Sequence, residues 1–238
     1  MRALGGLGLI AALPACSSSY ADLHLTVATG SRNGVYYTLG AALATAWRDA
    51  LGMREPPAVT STAGSINNLQ LLGARLADVA FNQIDTAADQ LAHTAPADPR
   101  SLRALARIYD DFVHVVVPAN SALTSIVQLR GARVALGSPG SGVLFMAQRV
   151  LQALGISPDK DLRPVHFGLD ESVAAMKKGG IDAFFWSGGL PTPAVADLAK
   201  AVPIRLLNRR RTSSRSTPPT PSTRPAPSPS APTGSPTR

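Results

Sequence analysis

Short Gly/Ser loops, placed where an apolar strand-like run gives way to a helical one, constrain this chain more than any other feature. Four such loops occur: Gly30-Ser-Arg-Asn-Gly34-Val-Tyr-Tyr37, Thr60-Ser-Thr-Ala-Gly-Ser65-Ile-Asn-Asn68, Gly137-Ser-Pro-Gly-Ser-Gly142 and Phe185-Trp-Ser-Gly-Gly-Leu-Pro191. The first three sit at strand-to-helix junctions. A junction of that kind leaves first-turn N–H groups without intrahelical partners, and the helix dipole backs them. Ser hydroxyls add donors, and Gly lets a ligand approach the backbone closely. Three such loops in one chain point to capture of a small anion, such as a carboxylate.

The runs around the loops support this. Residues 23–29 alternate in the manner of a strand. From Val35 the apolar positions Tyr36, Leu39, Leu43, Ala46 and Trp47 follow helical spacing, which Gly52 and Pro56-Pro57 close. Ala58–Ser61 reads as a strand, Ile66–Leu72 as a helix and Asp78–Phe81 as a third strand. Leu102–Tyr109 and Phe112–Pro118 are strand-like, the latter almost continuously apolar, as a buried strand is. Arg133–Leu136 leads into the third loop, and the helix after it lines up Val143, Ala147, Val150, Leu151 and Leu154. Arg163–Gly168, a short helix from Glu171 to Lys178, and Ile181–Trp186 follow. Strands alternating with helices predict an α/β protein with largely parallel sheets. The pattern starts near residue 23 and again near residue 132, so two lobes with a cleft between them are expected.

The two ends differ from the middle. Met1-Arg2, an apolar stretch from Ala3 to Ala12 and Leu13-Pro-Ala-Cys16 form a short secretory signal. It resembles a bacterial lipoprotein signal, in which Cys16 becomes the lipidated first residue; a plain secretory signal is the alternative. From Asn208 the chain is Arg, Ser, Thr and Pro with eight prolines, a composition that cannot bury a core and is expected to be disordered. Six Arg in that tail explain most of the formal charge of +8: the 17 basic and 15 acidic residues before it leave +2. A nucleic-acid partner is therefore not implied for the body of the chain.

The loops resemble the extracytoplasmic solute receptors of the TAXI type, substrate-binding subunits of one class of tripartite ATP-independent periplasmic (TRAP) transporters. The matching residues are Thr29-Gly-Ser-x-x-Gly34-x-Tyr-Tyr37-x-x-Gly40, Thr62-x-Gly-Ser65-x-Asn67 with Leu71-Leu and Asp78-Val-Ala-Phe81, Gly137–Gly142, and Gly180-Ile-Asp-Ala-Phe-Phe-Trp186-Ser-Gly-Gly-x-Pro-Thr-Pro193. The resemblance runs from about residue 23 to 207. It implies a two-lobed type II periplasmic-binding-protein fold that holds a small acid, glutamate-like or a dicarboxylate, and delivers it to TRAP membrane subunits. Members of that family continue past the point matching Leu207, so the fold is expected to be incomplete at its C-terminus. A frameshift in a GC-rich gene produces such a tail, and so does truncation with an added linker. The expected organisation is a lipoprotein signal at 1–16, a tether at 17–22, lobe 1 at 23–117, lobe 2 at 118–207 and the tail at 208–238. The protein is then extracytoplasmic and lipid-anchored to the outer face of the cell membrane. A truncated remnant that binds nothing is the competing reading.

The candidate ligand-binding residues come from the loops and the strand ends. Gly30, Ser31, Arg32 and Gly34 form the first loop, where Arg32 pairs with a ligand carboxylate or simply faces solvent. Of Tyr36 and Tyr37, one is expected to wall the cleft and the other to pack inside. Gly64, Ser65 and Asn67 fit ligand contact and helix capping equally well. Gln83 and Asp85 follow a strand at its carboxyl end, where α/β proteins place ligands, although a polar turn is the alternative. Ser138, Gly140, Ser141 and Gly142 offer backbone amides. Trp186 and Gly188 border the cleft, unless Trp186 is core. Catalysis is not expected. The 137–142 loop lacks the Lys-Ser/Thr of a phosphate-binding P-loop, no Gly-x-Ser-x-Gly elbow occurs, and the four His residues are scattered. No metal or cofactor is implied.

Overall fold

The computed structural model describes residues 20–95, 98 and 101–207. The expectations for the signal, the lipidated Cys16, the first half of the tether (17–19) and the tail lie outside the described residues. Within them the chain forms two α/β lobes. In the first, β1 (Thr26–Ala28) lies between β2 (Ala58–Thr60) and β3 (Val79–Ala80), all parallel. The helices α1 (Val35–Leu51), α2 (Ser65–Gly73) and α3 (Ile84–Ala92) each follow one of these strands. Asn68 ties the three strand ends together. It is fully buried, its Nδ2 donates to Thr29 O at 2.6 Å and Phe81 O at 2.7 Å, and its Oδ1 accepts from Thr62 Oγ1 at 2.6 Å. A buried amide with all these bonds made fixes where each loop leaves the sheet.

The second lobe is a five-stranded sheet. It contains β4 (Phe112–Pro118), β5 (Arg133–Ala135), β6 (Arg163–Val165), β7 (Ala183–Gly188) and β8 (Ile204–Leu206), in the order β6-β5-β7-β4-β8. Around it lie α4 (Gly142–Ala153), the short α5 (Pro158–Asp161), α6 (Leu169–Lys177) and α7 (Pro193–Ala201). Alternate residues of each strand serve opposite faces. Val115, Val117, Val134, Leu136 and Phe185 pack with Ala147 and Leu151 of α4 on one face. Val116, Ala135 and Phe184 pack with Leu169, Met176 and Leu198 of α6 and α7 on the other. Both faces are therefore covered, which is why β4 and β7 read as unbroken apolar runs.

Three expectations are corrected. The second sheet is mixed: β5 is parallel to β6 and β7, but β4 is antiparallel to β7 and β8. An apolar run marks a buried strand without encoding its direction. The boundary expected after residue 117 falls earlier, because β4 from Phe112 belongs to the second sheet. Leu102–Tyr109 forms no strand; it is an irregular crossover between the lobes, with Leu105 72% and Ile108 54% exposed. Its apolar residues lack a ladder partner, so the pattern alone misleads. Helices α3, α5 and α7 were not foreseen.

Candidate functional site

A cleft of about 90 Å³ lies between the lobes. Five helices present their N-termini to it. The N-caps of α1, α2, α3, α4 and α6 are Gly34, Gly64, Gln83, Ser141 and Gly168, and all five line the cleft. The order of elements explains this. Each of these helices follows the carboxyl end of a strand, and the two sheets turn those ends toward each other. Sequence reading anticipated three of the five termini; α3 and α6 add the others.

The lobes meet closely here. Gly64 has φ +122°, a conformation reserved for glycine, and a Cβ on it would lie 3.5 Å from Ser141 Cα across the cleft. Asn67 N–H donates to Gly140 O at 2.9 Å, joining α2 of one lobe to the loop before α4 of the other. Asn33 Nδ2 donates to Asp170 Oδ1 at 2.9 Å. Gln83 makes the deepest link: its Nε2 donates to Asp111 Oδ2 at 2.8 Å and to Ser187 Oγ at 2.5 Å. Ser187 Oγ also donates to Asp111 Oδ2. One carboxylate of the crossover thus gathers a residue from each lobe.

Most candidate residues converge on the cleft. Gly30, Ser31, Gly34, Tyr36, Gly64, Ser65 and Gln83 line it from the first lobe. Ser138, Ser141, Gly142, Trp186 and Gly188 line it from the second. Ser31 Oγ and Gln83 Oε1 are buried and have no hydrogen-bond partner. Ser65 Oγ accepts from Gln83 N–H at 3.1 Å, and Ser141 Oγ caps α4 by accepting from Leu144 N–H at 3.0 Å. Trp186 is partly buried, with its Nε1 donating to Thr192 Oγ1 at 3.0 Å.

Five candidates lie outside the lining. Arg32 is exposed and turned onto Tyr37, donating to its hydroxyl at 2.8 Å with the guanidinium 5.2 Å from the ring centre. This one contact takes both residues out of the site and decides between the two tyrosines: Tyr36 walls the cleft. Asp85 lies in the first turn of α3, its Oδ1 accepting from Thr86 N–H at 2.8 Å. Asn67 and Gly140 serve the interlobe bond described above.

Tyr109, Phe167 and Ser187 also line the cleft and escaped sequence reading. Tyr109 fell inside the run taken for a strand. The approach to α6 carried a usable signal, Gly168 with Glu171 three residues on, and Gly168 N–H does donate to Glu171 Oε2 at 3.0 Å. The Tyr36 ring lies 5.5 Å from Phe81 and 6.2 Å from Tyr109. Burial, and then the Asp111 charge, raise the Tyr36 pKa; burial, and then Tyr36, raise that of Tyr109. Both phenols therefore stay protonated at neutral pH and can donate. Among the described residues no group of three or more His, Cys, Asp or Glu side chains is placed to hold a metal.

Solved structures share this architecture. The alkanesulfonate-binding protein SsuA from Xanthomonas axonopodis pv. citri, bound to MOPS, is 22% identical with a TM-score of 0.52, over 78% of this chain and 60% of that one. Holo ArgBP from T. maritima is 17% identical with a TM-score of 0.52, over 77% and 76%. A binding-protein component of an ABC phosphonate transporter from Pseudomonas aeruginosa is 11% identical with a TM-score of 0.55, over 77% and 64%. The chain thus spans about 60% of the length of the alkanesulfonate binder, and its fold is that of the periplasmic binding proteins. The NMT1-like family model matches residues 27–217, taking in both lobes and all five helix N-termini around the cleft, and the chain belongs to the NMT1-like family.

Proposed function

We propose that the chain is an extracytoplasmic solute receptor that holds a small carboxylate in the interlobe cleft and delivers it to a TRAP-type membrane permease. The observation that carries the binding role is the convergence of five helix N-termini on one cavity. One terminus stabilises an anion by roughly 0.3–1 kcal/mol, and by about 2 when partly buried. The first turns of α3 and α6 already carry Asp85, Asp170 and Glu171, so the termini of α1, α2 and α4 are the ones free of acids. Those three give roughly 1–3 kcal/mol, up to about 6 at the buried limit, and micromolar affinity needs about 8. The rest comes from Ser31 Oγ, the tyrosine hydroxyls and closure of the lobes over the ligand. Proteins of the same fold are named for alkanesulfonates, phosphonates and arginine, each of which carries an acid group. The TRAP partner and the glutamate-like or dicarboxylic class rest on the resemblance of the loop motifs, and membrane attachment rests on Cys16.

A remnant that binds nothing is the second reading, favoured by the exposed apolar residues of the crossover, Leu105 and Ile108. Calorimetric titration of the full chain with a panel of small carboxylates, sugars and neutral amides at fixed salt separates the two. Saturable heat from at least one acid, and none from the neutral solutes, is expected of the receptor. Silence across the panel identifies the remnant, and binding of neutral solutes alone overturns the anion argument.

A further inference from the structure

The wall of the cleft carries no charged side chain: its lining contains no Asp, Glu, Lys or Arg among the described residues. The nearby acids are already engaged: Asp111 by Gln83 and Ser187, Glu171 by Gly168 N–H, and Asp170 by Asn33. Arg32, the guanidinium of the first loop, is held on Tyr37 outside the lining. The remaining wall is largely ring and hydrocarbon, from Tyr36, Tyr109, Phe167 and Trp186.

Each part of a ligand can be weighed against that lining. A single acid group finds first-turn amides. A second carboxylate would have to share those amides, would find no cation in the lining and would repel the first, with its hydration removed. An ammonium would have to take Asp111 away from Gln83 and Ser187. The cleft volume of about 90 Å³ is small, which suits a compact ligand. We infer that the ligand is a compact monoanion, one acid group on a short apolar body, rather than the glutamate-like or dicarboxylic acid that the loop motifs imply. This inference rests on the receptor reading and narrows its substrate class.

The test uses three acids of similar size on the full chain at neutral pH: pentanoate, succinate and 4-aminobutyrate. Pentanoate is expected to bind, and the other two to bind at least about tenfold more weakly, because each buries an uncompensated second charge. Succinate or 4-aminobutyrate binding within tenfold of pentanoate overturns the monoanion inference and leaves the receptor reading intact. Silence from pentanoate while any other acid of the wider panel binds does the same. Silence from every acid overturns both.

Discussion

In a Gly142→Ala variant the new methyl would lie 2.0 Å from Gln83 Oε1 and 2.8 Å from Ser65 Oγ. Gln83 is the movable partner, so its carboxamide is expected to swing aside while α4 stays in place. In swinging it gives up Asp111 at 2.8 Å and Ser187 at 2.5 Å, the bonds that join the lobes at the crossover. A hydrogen bond to a charged acceptor contributes about 1.5–3 kcal/mol and a neutral one about 0.5–1.5. Water recovers part of this at a partly exposed site, leaving a loss of about 1–3 kcal/mol from the closed state, or roughly a 5- to 150-fold shift toward opening. Replacing Gly by Ala at the start of α4 acts the other way, by about 0.4–1 kcal/mol, through the lower entropy of the unfolded chain. The closed form is therefore expected to lose up to about 2.5 kcal/mol net, and the variant to open. Trp186 reports this directly: its Cη2 lies 3.7 Å from the Cβ position of Gly34 across the cleft. Its emission, isolated in a Trp47→Phe background, should shift to the red, with stability in urea lowered by no more than about 2.5 kcal/mol. Unchanged emission, or a fall in stability well above about 3 kcal/mol, would refute the clamp.

Two further outcomes follow from buried polar groups. Asn68→Ala takes the Asn68 bond from the Phe81 carbonyl and leaves the Thr29 carbonyl only its bond from the Thr62 hydroxyl at 3.0 Å, and is expected to destabilise the fold by about 1–3 kcal/mol in urea denaturation; a loss below about 1 kcal/mol would remove Asn68 from its organising role. His114 is 4% exposed, with Nδ1 unpartnered, and burial lowers its pKa against a smaller opposing effect of Asp111. The unfolded chain therefore takes up the proton first. Stability is full above about pH 6.5, the unfolded value, and falls as the pH drops below it toward the folded value. A His114→Phe variant should lose less stability than the parent between about pH 7 and about pH 5, and parallel curves would contradict this assignment.

The amino-acid sequence by itself determined the α/β class, the two-lobed plan and the loops that make the site. These are local matters: an apolar run, a glycine and a helical period lie next to one another in the chain, and each junction carries its own unpaired amides. The sequence also located α1, which begins at Val35 and ends before Gly52 as its pattern predicts. Tertiary structure decided what depends on contacts between distant segments. It turned β4 antiparallel to β7 and placed it in the second lobe, which a uniformly apolar strand does not specify. It left Leu102–Tyr109 without a ladder, and thereby put Tyr109 at the cleft. It removed Arg32 by giving its guanidinium a nearer partner in Tyr37, and brought Gln83, Asp111 and Ser187 together from three separate stretches of chain. Backbone patterning fixes where a helix starts; which side chains meet in front of it is settled only when the two sheets face each other.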